Sequence, residues 1–268
     1  MGKEALIPYL PQARLDTVLW LHEVDSTQRV LMEAAQNGTA EGTVVIADSQ
    51  SEGRGRKGRG FLSPAGKGLF LSYYLNPGRE PEEEAMLTAW TATAVCDAVS
   101  SVCGKTGLRV KWVNDLILNR KKVGGILAQR LPIGVPGAPE GIVIGIGLNL
   151  GETKEDFPAE LKDSATSFQI ETGTFPERTR LAASLILALD RMKDDFPTEK
   201  SRYLAAYRSL CLTVGQKVRF FSEGTERTGL ALSVGEDFSL RVKEEETGRE
   251  TVLRSGEVSV RGITGYAV

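Results

Sequence analysis

Short β-prone runs alternate with segments of helical period along the first half of the chain, and this alternation restricts it to a sheet flanked by helices. Thr43–Asp48, Leu69–Leu75, Arg109–Trp112 and Gly141–Gly147 are rich in branched and aromatic residues and bounded by turn formers, as strands are. Between them, Ser26–Asn37 reads as a helix with Ser/Thr capping and Gly38 just past its end. Glu82–Cys103 repeats apolar residues at helical spacing up to Gly104. Asp115–Asn119 and Val123–Ala128, joined across Asn119–Lys122, read as a β-hairpin. The sheet is therefore mixed and the fold class α+β.

Two more helices are expected over Glu177–Phe196, amphipathic through Leu181, Leu185, Ile186 and Leu189, and over Thr198–Leu210. At about Thr213 the period changes. Lys217–Phe221, Thr228–Val234, Phe238–Val242 and Thr251–Leu253 are short strands separated by glycine and charge, the pattern of a small β-barrel. The expected organisation is a main domain over residues 1–212 and a small barrel over 213–268, docked on it because so short a unit is hard to stabilise alone. The Pro/Gly-rich Leu131–Pro139 reads as an exposed connection.

Charge excludes several functions. Lys and Arg total 33 against 35 Asp and Glu, a formal net charge of −2, so no global field marks a nucleic-acid binder and any phosphate chemistry must use local basic charge. The three cysteines, Cys96, Cys103 and Cys211, form no Cys-x-x-Cys pair and support neither a disulfide framework nor a zinc site; a reducing cytoplasm fits them. Cys96 and Cys103 lie seven apart on the expected helix and share its buried face. The single histidine, His22, reads as structural. No basic segment leads into an apolar run at the N-terminus, and the longest apolar stretch, Gly141–Leu150, falls far short of a membrane span.

Local basic charge is concentrated in Gly53–Gly60, where four glycines interleave with Arg54, Arg56, Lys57 and Arg59 and no acid intervenes. Glycine lets backbone N–H groups approach a phosphate, and arginine supplies bidentate, permanent charge. The segment fits G-x-G-x-x-G literally, but the Phe61–Gly66 stretch after it is a poor helix start, which argues against a dinucleotide turn. Gly66-Lys67 is followed by Gly68 rather than Ser or Thr, so a P-loop is absent. A second polar cluster lies in Lys111–Leu127: a hairpin can bring Asp115 and Lys122 to one end of the sheet beside Gly124 and Gly125, although turn polarity alone accounts for these residues equally well.

Taken in order, Asp25–Gln28, Gly53–Gly60, Phe61–Gly66, Lys111–Asp115, Lys122–Leu127 and Gly145–Asn149 resemble the biotin–protein ligases over nearly the whole chain. The resemblance implies a biotin/lipoate ligase-like catalytic domain with an SH3-like C-terminal barrel. It also implies an enzyme that activates biotin with ATP, accompanied by Mg²⁺, to biotinyl-5′-AMP and transfers biotin to a lysine of a biotin carboxyl carrier domain, as in acetyl-CoA carboxylase. By the same resemblance Ser26, Thr27, Gln28 and Gln50 meet biotin. Arg54, Gly55 and Arg56 close over the biotin carboxylate and the adenylate phosphate, and Lys122 reaches the activated carbonyl and phosphate oxygens. Asn114 and Asp115 sit beside the adenylate, with Arg59, Phe61, Gly124, Gly125 and Asn149 as further binding positions. Phe61 stands where family members usually place Trp, which keeps an apolar face but loses an indole donor.

The chemistry suits these residues. A carboxylate does not acylate an amine at useful rates, so AMP serves as leaving group, and Arg54, Arg56 and Lys122 would stabilise charge at one phosphate in both steps. The nucleophile is another protein's lysine, so no internal Ser, Cys or His nucleophile is required. A glycine-rich lid would also keep water from the mixed anhydride. The alternatives are a lipoate or octanoate ligase or transferase of the same fold, and a biotin-responsive regulator. Only 24 residues precede Asp25, too few for a helix-turn-helix, so nucleic-acid binding is not expected. A homodimer through an exposed sheet edge remains open.

Overall fold

The structure is a computed structural model that describes residues 2–76, 83–132, 140–222, 225–254 and 261–262. A short helix α1 (Gln12–Leu15) leads into β1 (Val18–Val24), α2 (Thr27–Gln36), β2 (Val44–Gln50), β3 (Gly68–Leu75) and α3 (Glu83–Cys103). Then come β4 (Arg109–Lys111), β5 (Asp115–Leu118), β6 (Lys121–Arg130), β7 (Ile142–Asn149), α4 (Phe168–Thr172), α5 (Arg178–Asp195) and α6 (Lys200–Leu210). Seven strands form one sheet in the order β1-β2-β3-β7-β6-β5-β4. β1 and β2 are parallel across the α2 crossover, and the other neighbours are antiparallel. The sheet is thus mixed, as expected.

β1 was not among the expected strands. Its alternation is interrupted: Val18 and Trp20 are buried, but His22 and Glu23 are both exposed at the sheet edge before the strand ends on half-buried Val24. His22 is therefore a surface residue of an edge strand rather than a core histidine.

Strand period sorts the two faces of the sheet. On β7, Ile142, Ile144, Ile146 and Leu148 enter the large core, whereas Val143 packs with Leu31 and Ala35 of α2 in a separate cluster. Gly145, Gly147 and Asn149 share the face of Val143, and Ser72 of β3 reaches Thr27 of α2 on that side. The opposite face is covered by α3 against β6 and α5 against β3, with α6 packed on α3. Met86–Cys103 of α3 is long and apolar enough to span a membrane by length and composition, but 67% of it is buried in this core. Thr, Ser and Asp97 interrupt its apolar residues, which is why no continuous run marks it in the sequence. Cys96 is buried there and Cys103 half-buried; all three cysteines are free.

The C-terminal strands β8 (Lys217–Ser222), β9 (Thr225–Val234), β10 (Leu240–Glu244), β11 (Glu250–Leu253) and β12 (Arg261–Gly262) form an antiparallel sheet in the order β11-β10-β9-β8-β12. Among the described residues its two edges do not pair, so it is an open sheet rather than the closed barrel expected. Phe238 is not in a strand, as its sequence context suggested, but in a tight turn before β10 with φ 60°. The sheet's apolar residues Val218, Phe220, Ala231 and Val242 join the main core, and Leu212 N–H donates to Val110 O of β4. The connection expected over Leu131–Pro139 lies mostly outside the described residues.

Candidate active site

The N-terminus of α2, the glycine–arginine loop, the β5–β6 hairpin and the end of β7 surround one cleft with two compartments. Ser26 occupies the N-cap of α2, but its hydroxyl does not cap the helix. The Thr27 N–H is taken by Gln50 Oε1 at 2.9 Å, which also accepts from Thr27 Oγ1 at 3.1 Å. Thr27 Oγ1 in turn accepts from Ser72 at 2.9 Å, and Gln50 Nε2 donates to Ser63 Oγ at 2.9 Å. Gln28 Nε2 donates to Val143 O at 2.8 Å, fixing the orientation of its amide. Five buried or half-buried polar side chains are thereby locked by one another, the pre-organisation a polar ligand needs.

Ser26, Thr27, Gln28, Gln50 and Ser72 line the narrow inner compartment, about 50 Å³, together with Arg54, Gly55, Gly125 and apolar Ile126, Leu127 and Ile146, and Ser63 supports Gln50 from outside it. Its floor is glycine for steric reasons: a Cβ on Gly145 would lie 2.4 Å from Gln28 Oε1, and one on Gly147 2.6 Å from the Phe61 ring. The space suits a slim ligand with a polar head and an apolar stem.

The outer compartment, about 210 Å³, is lined by Arg59, Phe61, Leu62, Trp112, Asp115, Asn149 and Phe157, among others. Gly55, Arg56, Phe61, Asn114 and Lys122 line both spaces and so mark the junction. At that junction Arg56 Nη1 donates to Asn114 Oδ1 at 2.9 Å, and Lys122 Nζ lies 2.6 Å from Asp115 Oδ1. Burial lowers the pKa of Arg56 from its ordinary value, an effect the Asp115 charge opposes. The guanidinium stays charged, because its ordinary value is so high. Arg56 Nη2 is buried with no hydrogen-bond partner, as is Asn149 Oδ1, whose Nδ2 donates to Thr166 O. Two cations against one carboxylate, with an arginine donor left open, form an anion site between the compartments.

The loop Gly53–Gly60 is folded back on itself. Arg54 bridges to Gly60, Gly55 N–H donates to Arg59 O at 2.7 Å, and Lys57 takes φ 57°. Arg54 remains exposed beside the inner compartment. No helix follows the loop, in accord with the rejection of a dinucleotide turn. Gly124 lines neither compartment: its Cα is pressed against Gly147 O and Leu148, where a Cβ would lie 2.5 Å from that oxygen. Its place in the binding set is corrected to close strand packing. The other sequence-expected residues, from Ser26 to Asn149, converge on the cleft.

Residues the sequence reading missed are Ser63, Ser72, Trp112, Phe157 and the Ser164–Thr166 segment. The last buttresses Lys122, whose N–H donates to Ser164 O and whose carbonyl accepts from Thr166 N–H, both at 2.8 Å. Ser72 had a signal, the one small polar residue in the strand Leu69–Leu75. The Ser164–Thr166 segment had none in composition or period.

The profile of the biotin/lipoate A/B protein ligase family matches residues 20–149. The chain is 31% identical over 224 residues to a bifunctional ligase/repressor BirA of Bacillus spizizenii, covering 83% of this chain and 68% of that one. It is 30% identical over 235 residues to a biotin–[acetyl-CoA-carboxylase] ligase of Mycobacterium tuberculosis, covering 85% and 83%. Its fold is similar to a biotin protein ligase from Aquifex aeolicus in complex with biotin and ATP, with a TM-score of 0.74, 29% identity and coverage of 91% and 98%.

Proposed function

The chain belongs to the biotin/lipoate A/B protein ligase family, and on that premise we propose that the two compartments hold biotin and ATP on either side of the Arg56–Lys122 junction. The enzyme activates biotin with ATP to biotinyl-5′-AMP and transfers the biotinyl group to a lysine of a biotin carboxyl carrier domain of acetyl-CoA carboxylase or a related carboxylase. The observation that carries the assignment of residues is the junction itself: the reacting carboxylate and α-phosphate must meet where the two spaces join, and there the chain supplies Arg56, with one donor unengaged, and Lys122.

In the first step biotin lies in the inner compartment, its ring against the Thr27–Gln50–Ser72 network and its chain along Ile126 and Leu127. The carboxylate attacks the α-phosphorus of ATP and pyrophosphate leaves. Arg56 and Lys122 stabilise the charge of the pentavalent state, and Asp115 keeps Lys122 aimed. In the second step the carrier lysine, as a free amine, attacks the acyl carbon. The C–O bond breaks, AMP departs as the anion those cations already hold, and the protonated nitrogen of the new amide releases its proton to solvent water. Mg²⁺ arriving with ATP would neutralise phosphate charge. Asp115 and Asn149 Oδ1 are the hard oxygen donors of the outer compartment that fit it.

The glycine–arginine loop acts as the cover over the junction, with Arg54 and Arg59 at its rim. A reducing cytoplasm suits the three free cysteines. The deciding experiment incubates the chain with biotin, ATP labelled at the α-phosphate and a carrier domain. Labelled biotinyl-AMP and a biotinylated carrier are expected. Octanoylation or lipoylation of the carrier in place of biotinylation would transfer the assignment to the acyl-chain branch of the family.

A further inference from the structure

The Trp112–Asp115 turn, which carries the outer wall of the cleft, is held from behind by residues outside the cleft. Trp112 N–H donates to Thr213 Oγ1 at 2.9 Å, and its indole Nε1–H donates to the backbone carbonyl of Phe238 at 2.8 Å. The next peptide is held as well: Tyr207 Oη, on α6, donates to Val113 O at 3.2 Å. The rings of Tyr207 and Phe238 then meet edge to face, with centroids 5.8 Å apart. Both side chains are fully buried.

We propose that Phe238 and Tyr207 are positioning residues for the nucleotide half of the reaction, setting the Trp112 ring and, through Val113, the Asn114 amide from the C-terminal sheet and α6. Building on the two-compartment reading, this assigns the C-terminal unit a part in the chemistry of ATP.

Phe238 lies in the left-handed region at φ 60°, which a bulky residue rarely occupies. The turn that imposes this is closed by Phe238 N–H to Gly235 O and Gly235 N–H to Ser239 O. Such a conformation is costly and persists where its surroundings over-determine it. Here it aims the Phe238 carbonyl at the indole while the side chain enters the core. Trp112 lines the outer compartment and not the inner one. The inner compartment has its own supports in α2, β2 and β3. Asn114 lines both compartments but is also held by Ile126, whose carbonyl accepts from Asn114 Nδ2 at 3.1 Å and whose N–H donates to Asn114 O at 3.0 Å. Loosening the strap should therefore weaken ATP binding far more than biotin binding, because misplacement by an ångström is costly for a positioned reactant.

The test uses the full chain with Phe238→Ala, which removes the ring that packs on Tyr207, and Tyr207→Phe, which removes only the hydroxyl that holds Val113. Adenylate formation is measured with ATP varied, and biotin affinity by calorimetry without ATP; thermal melts report the folded fraction. Phe238→Ala is expected to raise the KM for ATP about tenfold and lower the adenylation rate about as much, and Tyr207→Phe to act in the same direction by about threefold. Biotin affinity should stay within about twofold in both. An unchanged KM for ATP in both folded variants overturns the proposal, as does a loss of biotin and ATP binding in equal proportion. If Phe238→Ala does not fold, Tyr207→Phe decides alone by the same criteria. A wild-type chain that makes no adenylate would refute the functional reading instead, a result visible before any variant is compared.

Discussion

Lys122 meets Asp115 across the β5–β6 hairpin at 2.6 Å only because the ladder slips by one residue between them. Asp115 pairs with Gly125 and Leu116 with Gly124, but Ile117 pairs with Lys122, leaving Val123 as the extra residue of a bulge. In a regular ladder Lys122 would face Leu118 and its side chain would lie on the other side of the sheet. The bulge turns it onto the side of Asp115 and the cleft. Gly125 leaves room for it, since a Cβ there would lie 3.3 Å from Lys122 Nζ. Replacing Lys122 with Ala is expected to lower the rate of biotinyl-AMP formation by at least about a hundredfold, as deleting one pre-organised donor to a developing anion does. A quenched-flow assay of adenylate formation checks this; near wild-type turnover would remove Lys122 from the mechanism.

Arg56→Gly removes the donor that no protein group engages, together with the bond to Asn114. The adenylate should then be held less tightly and escape before transfer. Filtration of a single-turnover mixture should find biotinyl-AMP in free solution, and bystander proteins should become biotinylated. Retention of the adenylate with unchanged selectivity for the carrier would reject the retaining role.

The sequence made the glycine–arginine loop and the hairpin visible because both depend on local residue types: glycine beside arginine, and turn formers between β-prone runs. It could not show that the Asn119-Arg120 pair alone makes the turn. Both residues have positive φ, so the connection is two residues long and Lys121 and Lys122 already belong to β6. Nor could it show the bulge, which arises from pairing rather than composition. The run Phe238–Val242 reads as one short strand, yet Phe238 itself fills the core from a left-handed turn ahead of β10. The Ser164–Thr166 support of Lys122 is a contact between segments some forty residues apart. Such tertiary contacts leave no periodic trace.

Gly145→Ala tests the inner compartment without touching a charged group. The added Cβ would lie 2.4 Å from Gln28 Oε1, and Gln28 cannot easily move because its amide donates to Val143 O and Leu127 O. Biotin affinity should fall by about five- to 150-fold, since a well-packed site costs about 1–3 kcal/mol to overfill. ATP binding measured in the absence of biotin should not change. Equal weakening of both ligands would mean that the cleft is not divided as described.

Glu152 gives the protein a pH dependence unrelated to its chemistry. Its side chain is fully buried, and burial pushes its pKa from 4.5 up to about 7 against the pull of the Glu152 and Leu150 backbone, which favours the carboxylate. The nearby Asp156 charge adds to the rise, and Lys67 opposes it. Between these two values the folded chain holds a proton that the unfolded chain has lost, so stability falls as pH rises through this window and levels off above about 7. The shift corresponds to a loss on the order of 3 kcal/mol. Urea unfolding at intervals from pH 5 to pH 8 should show the decline. Glu152→Gln, which cannot ionise, should flatten this component and leave the variant more stable than wild type at pH 8. Parallel curves for the two proteins across that range would mean that Glu152 is not the group that titrates.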